Sequence, residues 1–319
     1  MSEAPTTGPA ASGANGRVAV IGATGCVGRQ IAQAFAARGT EVVAVARRPA
    51  PHMAAHRFVA LDVAAAPAER LADFLAAQRV DAVVNATLGW GEELHATNVR
   101  LVERLVDALK KTPEPPRLVQ LGTIHEYGPV PRGTSIDERV RPDPRQPYPR
   151  SKLVAARLVL DAARAGELDG VVLRLTNTIG PHPAAESFFG SLAARLRDEP
   201  GPVDLTLAEA HRDYVDSRDA ADAVVRAAES PAAHGVFNIG SGRARDIRTL
   251  VAALVRASGR PRDSVRGHPG AVHSRGADWI QVDSTRARRL LGWSPRHGLD
   301  ASMRAMWETV RAERAPGTR

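Results

Sequence analysis

RVAVIGATGCVGRQIAQAFAARGTEVVAVARR, residues 17–48, is the stretch on which the fold turns. Val18 to Ile21 is short, apolar and rich in β-branched residues, the pattern of a buried strand. The run breaks at Gly22, and Gly25 and Gly28 follow. From Val27 the period changes, because Val27, Ile31 and Phe35 share one helical face, and Gly39 stops the helix. Glu41 to Ala46 is the next apolar strand. Strand, glycine turn, helix and strand in this order form a dinucleotide-binding unit. The first glycine permits a tight turn, the second lets backbone approach a pyrophosphate, and the third lets the helix pack close to the strand. The phosphates would sit on free N–H groups at the helix N-terminus. Gly22, Thr24, Gly25, Cys26, Val27 and Gly28 are therefore cofactor-binding candidates.

Outward from this unit, strands and helices alternate. Helices are expected over 66–78, 94–111 and 148–164, with strands at 81–86, 117–121 and 171–175 and a polar, Pro-rich loop over 128–147. The alternation predicts an α/β fold with a Rossmann-type, doubly wound parallel sheet. After Gly180-Pro181 it weakens. A strand at 236–240 and a helix at 246–258 precede a loop over 258–277 and helices near 284–291 and 298–312. The expected division is a disordered tail (1–16), a dinucleotide-binding domain (17–178 plus 212–257) and a smaller C-terminal substrate domain (179–211 plus 258–313).

Composition narrows the function. The 43 basic and 35 acidic residues leave +8, but the arginines are scattered and aromatics are 4%, which argues against nucleic-acid binding. Cys26 is the single cysteine, so no disulfide framework forms within the chain and a reducing cytoplasm is expected. No apolar stretch is long enough to span a membrane. The first residues lack a charged start and an apolar core, so they do not read as a signal peptide.

The second strand ends Val45-Ala46-Arg47-Arg48. An acidic residue at this place would hold the ribose 2′-hydroxyl of NAD, whereas arginine accommodates the 2′-phosphate of NADP. Ala46 stands where the acid is expected, so NADP(H) is the predicted cofactor, with Arg47 and Arg48 on its phosphate.

Tyr148-Pro149-Arg150-Ser151-Lys152 puts a tyrosine and a lysine on one helical face. A free phenol has a pKa of about 10, too high to exchange protons readily near neutrality. A cation one turn away is expected to lower it, so that Tyr148 protonates a carbonyl oxygen as hydride arrives, or does the reverse. Thr123, just past the fifth strand, offers a hydroxyl to the same oxygen. Thr123, Tyr148 and Lys152 are the catalytic candidates.

GATGCVG, TIHEYG (123–128), YPRSK, RLTNTIGP (174–181), HRDYVDSRDAADAV, FNIGSG and LGWSP together resemble the extended short-chain dehydrogenases/reductases, the NAD-dependent epimerase/dehydratase family, over residues 17–312. The resemblance implies nucleotide-sugar chemistry, with relatives among 4-epimerases, 4,6-dehydratases and deoxysugar 4-ketoreductases. It implies that Asp62 and Val63, Ala86 and Thr87, and Asn98 line the cofactor, and that Lys152 also meets the nicotinamide ribose. It further implies that Asn177, Arg212 and Arg275 hold the diphosphate of a small-molecule nucleotide-sugar substrate. Pairing of helices 94–111 and 148–164 with their two-fold mates in a homodimer is expected on the same ground.

Two departures matter. The dehydratases carry Asp-Glu directly after the catalytic threonine, where this chain has Ile124 and His125, so dehydration is not expected. His125 is either an added acid/base or pocket lining. Asp216 replaces a family histidine, and the sequence offers no account of it. A net reductase must draw hydride from a reduced pool, usually NADPH. The expected function is therefore an NADPH-dependent ketoreductase acting on the 4-keto group of a nucleotide-linked, dTDP-type 6-deoxysugar. A nucleotide-sugar 4-epimerase, a ketoreductase of a non-sugar ketone such as a polyketide, and an NADP-binding redox sensor remain open beside it.

Overall fold

The computed structural model describes residues 16–269 and 277–313. Its centre is a seven-stranded sheet built from β1 (Arg17–Ile21), β2 (Glu41–Ala46), β3 (Arg57–Ala60), β4 (Ala82–Asn85), β5 (Arg117–Thr123), β6 (Gly170–Leu175) and, after four short strands, β11 (Gly235–Ile239). The order is β11-β6-β5-β4-β1-β2-β3, and every pairing is parallel. The chain winds one way from β1 through β2 to β3, then restarts on the other side at β4. Ligands bind outside the carboxyl ends of the strands at such a reversal. The Gly22 turn and residues 86–87 lie at that edge, where Ala86 N–H donates to Ile21 at 2.9 Å.

Both faces of the sheet are covered, which is why its strands read as continuous apolar runs. On one face pack α1 (Cys26–Ala36), through Ile31 and Phe35, and α6 (Ser217–Glu229), through its alanines and valines. On the other pack α2 (Ala68–Gln78), α3 (Leu101–Lys111) and α4 (Pro147–Arg164). The apolar faces of α3 and α4, from which pairing with a second copy is expected, are spent on this second core: Leu101, Val102, Leu105, Val106, Leu109, Ala155, Ala156 and Val159 are all buried in it. The outer sides carry Glu103, Arg104, Asp107, Arg157 and Asp161.

A third core lies apart from the sheet. It joins α5 (Phe188–Asp198), α7 (Ile247–Ser258) and α9 (Leu299–Ala312) with the short strand β8 (Val203–Leu207). Helix α8 (Thr285–Leu291) instead packs on α6 and β11, with Ala287 and Leu291 in the first core.

Several local expectations need correction. Residues 258–277 are not all loop: β13 (Val265–Pro269) pairs in parallel with β8, from Val265 opposite Val203 to Pro269 opposite Leu207. Only the β8 partner makes this polar VRGHP stretch a strand, and alternation along one segment cannot reveal a partner. The helix expected over 94–111 opens with a π-helical turn, Ala96–Arg100, before α3. Thr123 is the last residue of β5 rather than a residue past it. Asp216 has a local account: its side chain caps α6 through Arg218 N–H and pairs with the Arg218 guanidinium at 2.9 and 2.8 Å.

The end of β5 is held by a buried charge. Glu126 has no exposure, and Arg174 on β6 has 4%. The guanidinium Nε donates to one Glu126 oxygen at 2.7 Å, and the other oxygen accepts Thr123 N–H at 2.8 Å. Thr123 and Glu126 thus close a capping box around the turn Ile124–Tyr127. Arg174 also lies over the Tyr127 ring, 4.4 Å from its centroid, and the Tyr127 hydroxyl donates to Asn238 on β11 at 2.9 Å. Glu126→Gln leaves the Arg174 charge buried without its partner and is expected to cost about 3–5 kcal/mol of folding stability. Glu126→Leu with Arg174→Met together is expected to cost far less. Denaturant unfolding of the three proteins checks this; a loss for Glu126→Gln no larger than the roughly 1 kcal/mol of a surface pair would contradict it.

Candidate active site

Each element end at the carboxyl edge of the sheet contributes one group. The glycine turn comes from β1 and α1. Gly22 has φ +80°, and a Cβ there would lie 3.0 Å from the Thr87 nitrogen. At Gly28 a Cβ would lie 2.1 Å from the Gly22 carbonyl oxygen, so α1 can approach the turn only with glycine there. Gly25 caps α1 and offers no side-chain acceptor, so the first-turn N–H groups are left for a ligand. A concave backbone with free helical N–H groups fits a dinucleotide diphosphate. Thr24 and Val27 lie in this turn, as does Cys26, whose thiol is pushed up by burial.

Around the adenosine end the expected residues take different parts. Arg47 and Arg48 are both exposed at the β2 terminus. Arg47 is engaged, pairing with Glu93 at 2.8 and 3.0 Å. The exposed Asp62 accepts from Ala64 and Ala65 N–H, and Val63 is buried, so Val63 can serve a ligand only through its backbone. Asn98 is 1% exposed, its oxygen accepts Gly89 N–H at 2.9 Å, and its amide donates to the Gly89 carbonyl and to Ser151 Oγ. The carboxamide ties the loop after β4 to α4.

Thr123, Tyr148 and Lys152 converge. The Thr123 hydroxyl lies near enough to the Tyr148 phenol to act on its acidity, and it accepts His125 N–H at 3.4 Å. Lys152, one turn along α4, is buried and donates from Nζ to the Thr87 carbonyl at 3.3 Å. The electrostatics reverse one expectation. Burial pushes the Tyr148 phenol up, the Glu126 carboxylate adds to this, and the Thr123 hydroxyl opposes it. Burial draws the Lys152 ammonium down to about 8, with Glu126 pulling the other way.

Beside this pair lies a second group. His125 Nε2 is 3.3 Å from the Asn177 oxygen, while the Asn177 amide nitrogen is buried without a partner. Burial lowers the His125 imidazole, the Asn177 hydrogen bond opposes this, and nearby Arg212 lowers it further. Arg212 donates to the Ala277 carbonyl at 3.2 Å. Three of the four substrate-binding candidates are thus neighbours, and Arg275 lies outside the described residues.

Two residues that sequence reasoning did not select are part of this edge. Trp90 stacks on Tyr148, with ring centroids 4.1 Å apart and 31° between planes. Glu93 is the partner of Arg47. A lone aromatic between glycines and an acid in a loop carry no periodic signal; only the fold brings them to the site.

The described architecture agrees with solved structures. UDP-glucose 4-epimerase from Thermus thermophilus, in complex with NAD, superposes with a TM-score of 0.81 at 23% identity, covering 93% of this chain and 99% of that one. A dTDP-6-deoxy-L-talose 4-dehydrogenase (NAD(P)(+)) from Kitasatospora kifunensis is 39% identical over 313 residues, 95% of this chain and 96% of its own length. A UDP-glucose 4-epimerase from Rhizobium leguminosarum bv. trifolii is 27% identical over 58% of this chain and 62% of its own length. The profile of the NAD dependent epimerase/dehydratase family matches residues 18–240. With the glycine turn, the parallel sheet and the Thr/Tyr/Lys edge in hand, the chain belongs to the NAD-dependent epimerase/dehydratase family and is an NAD(P)-dependent oxidoreductase of the extended short-chain dehydrogenase/reductase type.

Proposed function

We propose that the protein is an NADPH-dependent ketoreductase that reduces the 4-keto group of a nucleotide-linked, dTDP-type 6-deoxysugar. The observation that carries this is the convergence of Thr123, the last residue of β5, with Tyr148 and, one turn along α4, Lys152 at the carboxyl edge of the sheet. The Kitasatospora relative is named as a 4-dehydrogenase of such a sugar, and an alcohol dehydrogenase run in reverse is a ketoreductase. NADPH, when bound, supplies the hydride. Tyr148 gives its phenolic proton to the carbonyl oxygen, and Thr123 holds that oxygen by a second hydrogen bond. Lys152 serves the nicotinamide ribose. His125, neutral at pH 7, and Asn177 and Arg212 hold the substrate. Ile124 and His125 leave no carboxylate directly after Thr123, and Glu126 is locked to Arg174, so dehydration lacks its acid.

In this reading α7, packed in the third core, goes with the substrate unit and α8, packed in the first, with the cofactor unit. In the expected homodimer the outer faces of α3 and α4, charged and with Val154 exposed, would meet their two-fold mates. A 4-epimerase is the second reading, favoured by the Rhizobium relative. Stoichiometric consumption of NADPH with a 4-keto sugar nucleotide separates the two, because an epimerase returns its hydride within each turnover.

Two outcomes are expected of the purified protein. Tyr148→Phe should lower turnover of a dTDP-4-keto-6-deoxysugar by about 10²–10⁴-fold while NADPH affinity is unchanged. Wild-type turnover by this variant would contradict the assignment. Lys152 is held below its ordinary value, so it loses its charge as pH rises through about 8. NADPH affinity should therefore weaken across that pH in the wild type and stay flat in Lys152→Met. Parallel pH profiles for the two would refute the role of Lys152.

A further inference from the structure

Arg47 stands where a 2′-phosphate would be read, but its guanidinium already holds a carboxylate. Both Arg47–Glu93 bonds are parallel, at 2.8 and 3.0 Å, and the side chains are 56% and 55% exposed. Glu93 ends the single turn Gly91–Glu93, three residues after Trp90, whose ring lies against Tyr148. Arg48 beside it has no ion-pair partner among the described residues. The guanidinium fork matches a carboxylate and a phosphate equally well, so the two compete for the same donors. A 2′-phosphate brings roughly two negative charges to a place where Glu93 already supplies one. NAD brings none and can leave the pair intact.

We infer that Glu93 sets the cofactor preference of this protein: by occupying Arg47 it weakens NADP binding and leaves NAD usable. The inference rests on the reading that Arg47 serves a 2′-phosphate, and it deepens that reading. β2 itself ends without an acid, at Ala46, and the carboxylate that meets Arg47 comes from the loop after β4. The same short segment carries Trp90, whose ring lies against that of Tyr148.

Fluorescence titration of NADPH and NADH into the wild type, Glu93→Gln, Arg47→Ala and the double variant at fixed ionic strength tests this. Glu93→Gln should tighten NADPH by about 3- to 10-fold, the scale of one like-charge contact plus one exposed ion pair. NADH affinity should not change, and the gain should vanish in the Arg47→Ala background. Equal gains for both cofactors, or a gain that persists without Arg47, would overturn the inference. If Arg47→Ala weakens NADPH while Glu93→Gln leaves it unchanged, the inference alone fails. If Arg47→Ala leaves NADPH affinity unchanged, the reading of Arg47 fails and takes the inference with it.

Discussion

A buried carboxylate governs this active site. Glu126 cannot be solvated, so it is confined to the two donors that reach it, Arg174 Nε and Thr123 N–H. The confinement extends to the chain around it. A Cβ at Gly122 would lie 2.4 Å from a Glu126 oxygen, so the strand must run without a side chain at that point. The turn that follows must tighten at once, which presents the Thr123 hydroxyl and His125 at the sheet edge while Ile124 and Tyr127 go inward. The geometry of Thr123 is thus a consequence of where a negative charge can be accommodated, and the Glu126–Arg174 pair ties the end of β5 to β6.

The same charge acts at a distance on the proton-handling groups. It raises Tyr148 and opposes the lowering of Lys152, both of which are shifted first by burial. Glu126 occupies a place in the sequence near that of the dehydratase acid, yet it is tied to Arg174. A residue's neighbours in space, not its offset from a motif, decide whether it can move a proton.

What was legible in the sequence follows from the range of each interaction. The β1–α1–β2 unit could be read because its glycines answer to local sterics, Gly22 to a positive φ and Gly28 to the carbonyl of Gly22. The Tyr148/Lys152 pair could be read because helical periodicity fixes it. β13 could not, since only β8 makes it a strand. Nor could the motif around Asn98 reveal its partners, Gly89 and Ser151, which lie inside the protein. Glu93 and Trp90 were passed over because their partners, Arg47 and Tyr148, lie on other elements and are distant in sequence. The expected lowering of Tyr148 by Lys152 considered one charge and omitted burial, which is the larger influence on both groups.

That reversal bears on the direction of the chemistry. Reduction of a carbonyl needs a donor that holds its proton at rest, and oxidation of an alcohol needs a phenolate. Burial and Glu126 both favour the protonated phenol of Tyr148. Lys152, drawn down to about 8, keeps its charge through neutrality and gives it up just above. A neutral phenol can protonate an oxyanion as it forms; the negative charge then passes to Tyr148, where the Lys152 ammonium one turn away, still charged near neutrality, offsets it. The electrostatics of this edge therefore lean the same way as Ala46 and the two arginines at the end of β2, toward hydride arriving from a reduced cofactor and a proton leaving Tyr148.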